Sequence, residues 1–299
     1  MSQQSFQEQN PLLKESQYSG KIFWLNRPTG YTLSLEKLCD QMNGQDFYDD
    51  ISSEIDRENT FVPEVFEKNN RIVRTTSIDK ARIAKTDEAK ILIGSITLDD
   101  VSKVKYRDQN ILVLGTTEAD FLVFEFDSHY YFTVLSRRET SESVATILQR
   151  EYDKFGSMVN PTSFPSGSIE RIRESLDAQL RDTTISDYPE ETISRIQITG
   201  QDLEDEEEFK RQRRRGKIKT HMIQTDILTP DDNAKTISIS RDGLVRVYSN
   251  ASIGTYVNLL TNHILPNIRR KVESSPSVNV YQGTDDAESI FTDINTEED

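Results

Sequence analysis

A short pattern occurs twice in this 299-residue chain, and the run of elements after each copy constrains the fold more than any other feature. Ile96-Thr97-Leu98-Asp99-Asp100-Val101 aligns without gaps on Ile198-Thr199-Gly200-Gln201-Asp202-Leu203. Strand-like runs and then an amphipathic helix come after each copy. Self-similarity of this kind marks a fold assembled from a duplicated unit.

In the first copy, Ile91 to Ile96 is rich in β-branched residues and predicts a buried strand. Thr97, with Asp100 three positions on, has the form of a capping box and predicts a short helix through Val101 and Val104. Strands are expected at Ile111–Leu114, Phe121–Phe126 and Tyr130–Leu135. With Asp127-Ser128-His129 as a three-residue loop, Phe126 faces Tyr130, Phe124 faces Phe132 and Leu122 faces Val134, so one side is wholly apolar. The closing helix carries Val144, Ile147, Leu148, Tyr152 and Phe155 on one side.

In the second copy, Ile193, Ile196 and Ile198 form the first strand, and Thr199 with Asp202 repeats the capping pair. Ile218–Leu228 is a longer strand. Thr236–Ser240 and Leu244–Ser249 form a hairpin across Arg241-Asp242-Gly243, with Gly at the left-handed position. The last helix carries Ile253, Tyr256, Val257, Leu260 and Ile264.

Around these units, residues 1–20 are polar and expected to be disordered, and 21–88 form a mixed α/β extension. The extension holds a strand at Lys21–Leu25 and a helix capped by Ser34, with Leu35, Leu38, Cys39 and Met42 on one face. The first repeat spans 89–156. A Pro- and Gly-rich linker and a helix through Ile169, Ile172 and Leu176 occupy 157–192, and the second repeat spans 193–273. Residues 274–299 are an acidic tail, expected to be disordered, with Ile290, Phe291 and Ile294 among its acids; such mixing can serve as a docking segment.

The order strand, short helix, three-strand meander, long helix, taken twice, resembles the TATA-box-binding protein fold. The segment Ile239-Ser240-Arg241-Asp242-Gly243-Leu244-Val245, with a helix after it, is similar to the corresponding family segment. The resemblance covers Ile91–Phe155 and Ile193–Val272. It implies an α+β fold in which tandem pseudo-symmetric β-α-β-β-β-α repeats form one curved antiparallel sheet with the helices on one face. It also implies a DNA-binding concave sheet with aromatic wedges. One wedge position falls on Phe126, whereas the matching Ser240 and the companion positions Asn110 and Gly216 are not aromatic.

Net charge is −15, from 51 acidic and 36 basic residues, which argues against a general polyanion binder. High-salt solubility and an acidic partner-binding face both fit that charge. Cys39 is the one cysteine, so an intramolecular disulfide and a thiolate metal cluster are excluded. The early residues carry no secretory leader pattern, and no apolar run reaches the ~18–20 residues needed to span a bilayer, so a cytoplasmic protein without membrane contact is expected. His129, His221 and His263 are scattered; there is no HExxH, phosphate loop, dinucleotide fingerprint or nucleophile elbow. The expectation is a non-enzymatic protein without cofactor or metal.

The sharpest local charge feature runs from Glu204-Asp205-Glu206-Glu207-Glu208 to Lys210-Arg211-Gln212-Arg213-Arg214-Arg215. As a helix it pairs Glu206 with Lys210 and Glu207 with Arg211, and its charge order suits the dipole. Alternatively Arg211, Arg213, Arg214 and Arg215, extended by Lys217 and Lys219, grip phosphates. With Phe126, these are the candidate nucleic-acid contacts. The leading expectation is a binding module in a DNA- or transcription-associated assembly; the alternative is a protein-interaction scaffold that binds no nucleic acid. A protein partner is expected under both readings, and the oligomeric state is left open.

Overall fold

The computed structural model describes residues 16–26, 34–85, 89–152, 158–189, 193–228 and 234–267. The chain is α+β and dominated by an antiparallel sheet. The strands are β1 (Ser16–Asn26), β2 (Gln45–Asp50), β3 (Thr60–Phe61), β4 (Glu67–Lys68), β5 (Arg71–Lys85), β6 (Lys90–Tyr106) and β7 (Gln109–Phe126). They continue with β8 (His129–Leu135), β9 (Met158–Pro161), β10 (Gln179–Ser186), β11 (Arg195–Thr199), β12 (Lys217–Thr225), β13 (Lys235–Ser240) and β14 (Leu244–Ala251). The helices are α1 (Leu35–Met42), α2 (Arg138–Tyr152), α3 (Ser166–Ser175), α4 (Glu207–Arg215) and α5 (Ile253–Asn258), the last running on into a π-helical turn at Leu259–Ile264.

Side by side, the strands lie in the order β11-β10-β12-β13-β14-β1-β8-β7-β6-β5-β2. β1 is the seam between the two halves. It pairs antiparallel with β14 through Ser16–Lys21 and with β8 through Gly20–Leu25. Its alternate residues serve opposite faces, as the pleat requires. Lys21 Nζ donates to Glu142 on α2 at 2.6 Å, and the ring of Phe23 lies 6.2 Å from that of Phe132. On the other face Ile22 is fully buried and Tyr18 packs 5.7 Å from Tyr256 on α5. Gly20 makes this approach feasible: a Cβ there would fall 2.4 Å from Thr133 Oγ1 and 3.0 Å from the Tyr256 hydroxyl.

Each face of the sheet therefore has its own core. Leu35, Leu38 and Met42 of α1 and Val144 and Leu148 of α2 pack with Phe23, Leu92, Phe121, Val123 and Phe132. Ile169 and Ile172 of α3 and Ile253, Tyr256 and Val257 of α5 pack with Ile22, Leu122, Ile237, Ile239, Val245 and Val247. A third, small core joins Ile51, Ile55, Phe66, Ile72 and Leu112.

This corrects the expectation of helices on one face. β8 and β14 are both antiparallel to β1 and hence parallel to each other. A two-fold axis perpendicular to the sheet, which would keep both helix pairs on one side, would make those strands run in opposite senses. Here α1 and α2 cover one face, and α3 and α5 cover the other.

Three local expectations are also corrected. Thr97–Val104 is strand, not helix, because β6 pairs with β7 without a break from Ile91↔Phe124 to Tyr106↔Gln109, which outweighs the capping pattern. Asp202 caps nothing with its side chain; it has φ +52°, and the Thr199 hydroxyl instead donates to Asp182 at 2.5 Å. The β7–β8 loop has two residues, with Phe126 opposite His129 and both Asp127 and Ser128 at positive φ. A register chosen to make one face apolar fails there because both faces of that hairpin are buried.

Other expectations stand. Ser34 accepts from the Lys37 amide at 3.2 Å as the cap of α1. Ile239 pairs with Val245 and Ile237 with Val247 across Gly243, whose φ is +83°. One more expectation is corrected: Ser16–Gly20, expected to be disordered, are strand, because they pair with β14 as part of β1, and 21–88 contribute β2 and β5 to the main sheet. Residues 1–15 and the tail from 268 lie outside the described residues.

Candidate functional site

The basic run folds as α4, which turns Phe209 and Gln212 inward and leaves Arg211, Arg213, Arg214 and Arg215 exposed. Its ion pairs differ in spacing from those expected. Lys210 Nζ lies 3.5 Å from Glu207 and donates to the Asp205 carbonyl at 2.9 Å, while Arg211 meets Glu208 at 2.5 Å. Arg213 pairs with Glu170 on α3, and Arg173 of α3 donates to Glu204 at 2.8 Å. These bonds and the burial of Leu203 and Phe209 lock α4 onto the α3 layer. Lys217 and Lys219, at the start of β12, are exposed beside this basic end. Phe126 is remote from it: β13, β14, β1 and β8 lie between β12 and β7, and Phe126 is half-buried against the larger core.

The electrostatics under α4 are structural. Burial pushes the Glu170 carboxyl above its ordinary range, although Arg213 and Arg173 pull it down. His221 is buried beside them, with Nδ1 2.9 Å from the Thr183 hydroxyl. Burial lowers its pKa to about 3, with Arg173 and Arg213 adding to the effect. A ring held neutral in this way is a packing residue and not a proton shuttle near neutral pH. Burial also lowers His263, in the π turn, while Nδ1 of His129 lies 2.8 Å from the Asp127 carbonyl. Among the described residues, no three His, Cys, Asp or Glu side chains converge in a metal-binding arrangement.

A second surface was not foreseen. β6 and β7 run past their neighbours as a hairpin arm. β5 leaves β6 after Thr76↔Leu98, where the Thr75 amide donates to the Asp99 carboxylate at 2.9 Å. One face of the arm packs Leu112 into the small core. On the other, Val104 lies opposite Ile111, Ser102 opposite Val113, and Phe61 of β3 beside Ile111. Phe61 and Tyr106 are each 59% exposed, Val104 49% and Val113 41%. Lys103 and Lys105 alternate with this row and lie on the other face of β6, where Lys103 is opposite Leu112 and donates to the Glu54 carbonyl at 2.8 Å. The alternation Val104, Tyr106, Ile111, Val113 was present in the sequence but hidden by the helix expectation over Thr97–Val104.

Neither a family model nor a curated protein matches this chain. Among the described residues, no helix is long and apolar enough to cross a membrane.

Proposed function

We propose that the protein is a non-enzymatic polypeptide-binding module whose contact surface is the β6–β7 arm. The observation that carries this reading is the row of Phe61, Val104, Tyr106 and Val113, large apolar side chains exposed together on one face of a regular hairpin. Contiguous apolar exposure of this kind marks interaction sites, and Tyr and Phe are enriched at interface cores. A nucleic-acid role through Arg211, Arg213, Arg214, Arg215, Lys217 and Lys219 is the second reading, favoured by their clustering at the end of α4. It is weaker because Arg211 and Arg213 already engage Glu208 and Glu170, and because Phe126 lies away from the cluster.

We further propose that the halves descend from one strand-helix-four-strand-helix unit. The order β1-α1-β5-β6-β7-β8-α2 is matched by β9-α3-β10-β12-β13-β14-α5, once β2, β3 and β4 are taken as insertions in the first half and β11 and α4 as insertions in the second. β1 lies beside the last strand of both halves, so one strand serves two sheets related by rotation about its own length.

Replacing Tyr106, and separately Arg214, with a photoreactive phenylalanine in producing cells tests the functional reading. Adducts from position 106 are expected to be proteinase-sensitive and nuclease-resistant. No adduct at 106, together with a nuclease-sensitive one at 214, would transfer the role to nucleic acid.

A further inference from the structure

We infer that the acidic run 284–299 docks on the bare sheet face of this chain's own second half, over Arg195, Lys217, Lys219 and Arg246. This surface is separate from the β6–β7 arm, and the inference does not depend on the reading of that arm.

The pleat defines the face. Ile185, Ile218, Ile237, Ile239 and Val245 point into the core under α3 and α5, so their strand neighbours point the other way. On that other side α1 and α2 cover the first half alone: among the described residues, none from β10–β14 joins their core. What remains is a lattice of polar groups. One cross-strand row runs from β11 to β14 through Thr199, Asp182, Met222, Ser238 and Arg246. A second runs through Gln197, Thr184, Thr220 and Ser240, and a third sets Arg195 and Lys217 on either side of Ser186.

The charge of this face is opposite to that of the whole chain. Arg195, Lys217 and Lys219 are exposed, Arg246 is half-buried, and α4 ends in Arg214 and Arg215 just before Lys217. Asp182 is the one acid in the three rows, and it already accepts from Gln197 at 2.7 Å and from Thr199 at 2.5 Å. A cationic face on a chain of net charge −15 suits an anionic occupant.

The chain itself supplies one. Residues 284–299 include seven acids and no Lys or Arg. Asn267 is fixed beside α3, where its carbonyl accepts from Arg171 at 2.9 Å and its side-chain amide donates to Ser175 at 3.3 Å. That anchor lies at the Thr225 end of β12, since the Thr225 hydroxyl donates to the Leu176 carbonyl at 2.6 Å. From Thr225 to Lys217 is roughly 26 Å along the strand. Thr284 follows Asn267 by 17 residues, a reach of up to roughly 56–61 Å, enough to round the end of the sheet. A tether of this kind gives an effective concentration on the order of millimolar, so weak ion pairs suffice. An outside polyanion has no tether and is repelled by the net charge of the chain. Docked there, the run keeps other anions off the face.

A carbodiimide, which joins a carboxylate to a lysine amine without a spacer, tests this on the full chain. In an equal mixture of ordinary and 15N-labelled protein, cross-links from Lys217 or Lys219 to residues 285–299 are expected within single chains. Their yield should fall roughly fivefold in 1 M NaCl, where the screening length is about 3 Å. It should also fall severalfold in Arg195→Glu/Arg246→Glu, which keeps both lysines, with circular dichroism unchanged. Should the double variant not fold, Arg195→Glu alone, at the exposed start of β11, gives the same reading. No cross-link at Lys217 or Lys219, links confined to Lys271, or a yield indifferent to salt and to charge reversal would overturn the inference. Links joining ordinary to labelled chains would assign the face to a second copy. A yield that rises only after nuclease treatment would assign it to nucleic acid, and either result overturns self-docking.

Discussion

His221 shows how a single side chain ties folding to pH. In the unfolded chain its imidazole takes up a proton near pH 6.5, whereas burial in the folded protein delays protonation to about pH 3. Between those values the unfolded state binds more protons, so stability falls as pH drops through that window, by up to about 1.4 kcal/mol per pH unit. His263 is shifted in the same direction, and the lowered carboxyls of Glu142 and Asp187 contribute only further down, near the ordinary carboxylate range. Urea midpoints at pH 7 and pH 5 should therefore differ, and His221→Gln should shrink the difference; an unchanged difference would mean that the ring is protonated when folded. Gly20 is a second sensitive position. Gly20→Ala forces a methyl onto Thr133 and Tyr256 and should cost roughly 1–3 kcal/mol in chemical denaturation, the usual range for overpacking.

Among the elements, α4 depends on one apolar anchor. Phe209 is 3% exposed, and Phe209→Ala should cost about 3 kcal/mol and raise amide exchange across Glu207–Arg215 before the sheet opens. Uniform loss of protection through the whole chain would instead make α4 part of the global folding unit. Elements were legible in the sequence where a local requirement decided them. Ser34 capped a helix because an oxygen was needed at its first turn, and Gly243 fixed the β13–β14 register because the turn needs positive φ. They were illegible where distant strands decided. The β7–β8 register could not be read from an apolar face because helices cover both sides of that hairpin, and Thr97–Val104 became strand because β7 was there to pair with it. The same holds for the site. The run Lys210–Arg215 was visible as charge, but Glu170, which engages Arg213, comes from α3, and the open arm appeared only once β5 and β8 were seen to stop short.

At the scale of the molecule, β1 ties the halves into a single unit. Ile22 is fully buried, and its amide donates to the Gly243 carbonyl at 3.0 Å. Ile22→Ala should cost about 2–5 kcal/mol. Fluorescence of Trp24 and far-ultraviolet dichroism should still fall in one coincident transition. Two separated transitions would show that the halves fold independently. The same strand also imposes an order on biosynthesis. β1 leaves the ribosome before its neighbours, β8 emerges early enough to close one side, and β9 covers Phe23–Asn26 on the other, but Ser16–Lys21 on that side wait for Leu244–Ala251, much later in the chain. At roughly 5–20 residues per second of translation, that wait is on the order of ten seconds or more. Nascent chains halted before Leu244 should therefore be the ones that need a chaperone.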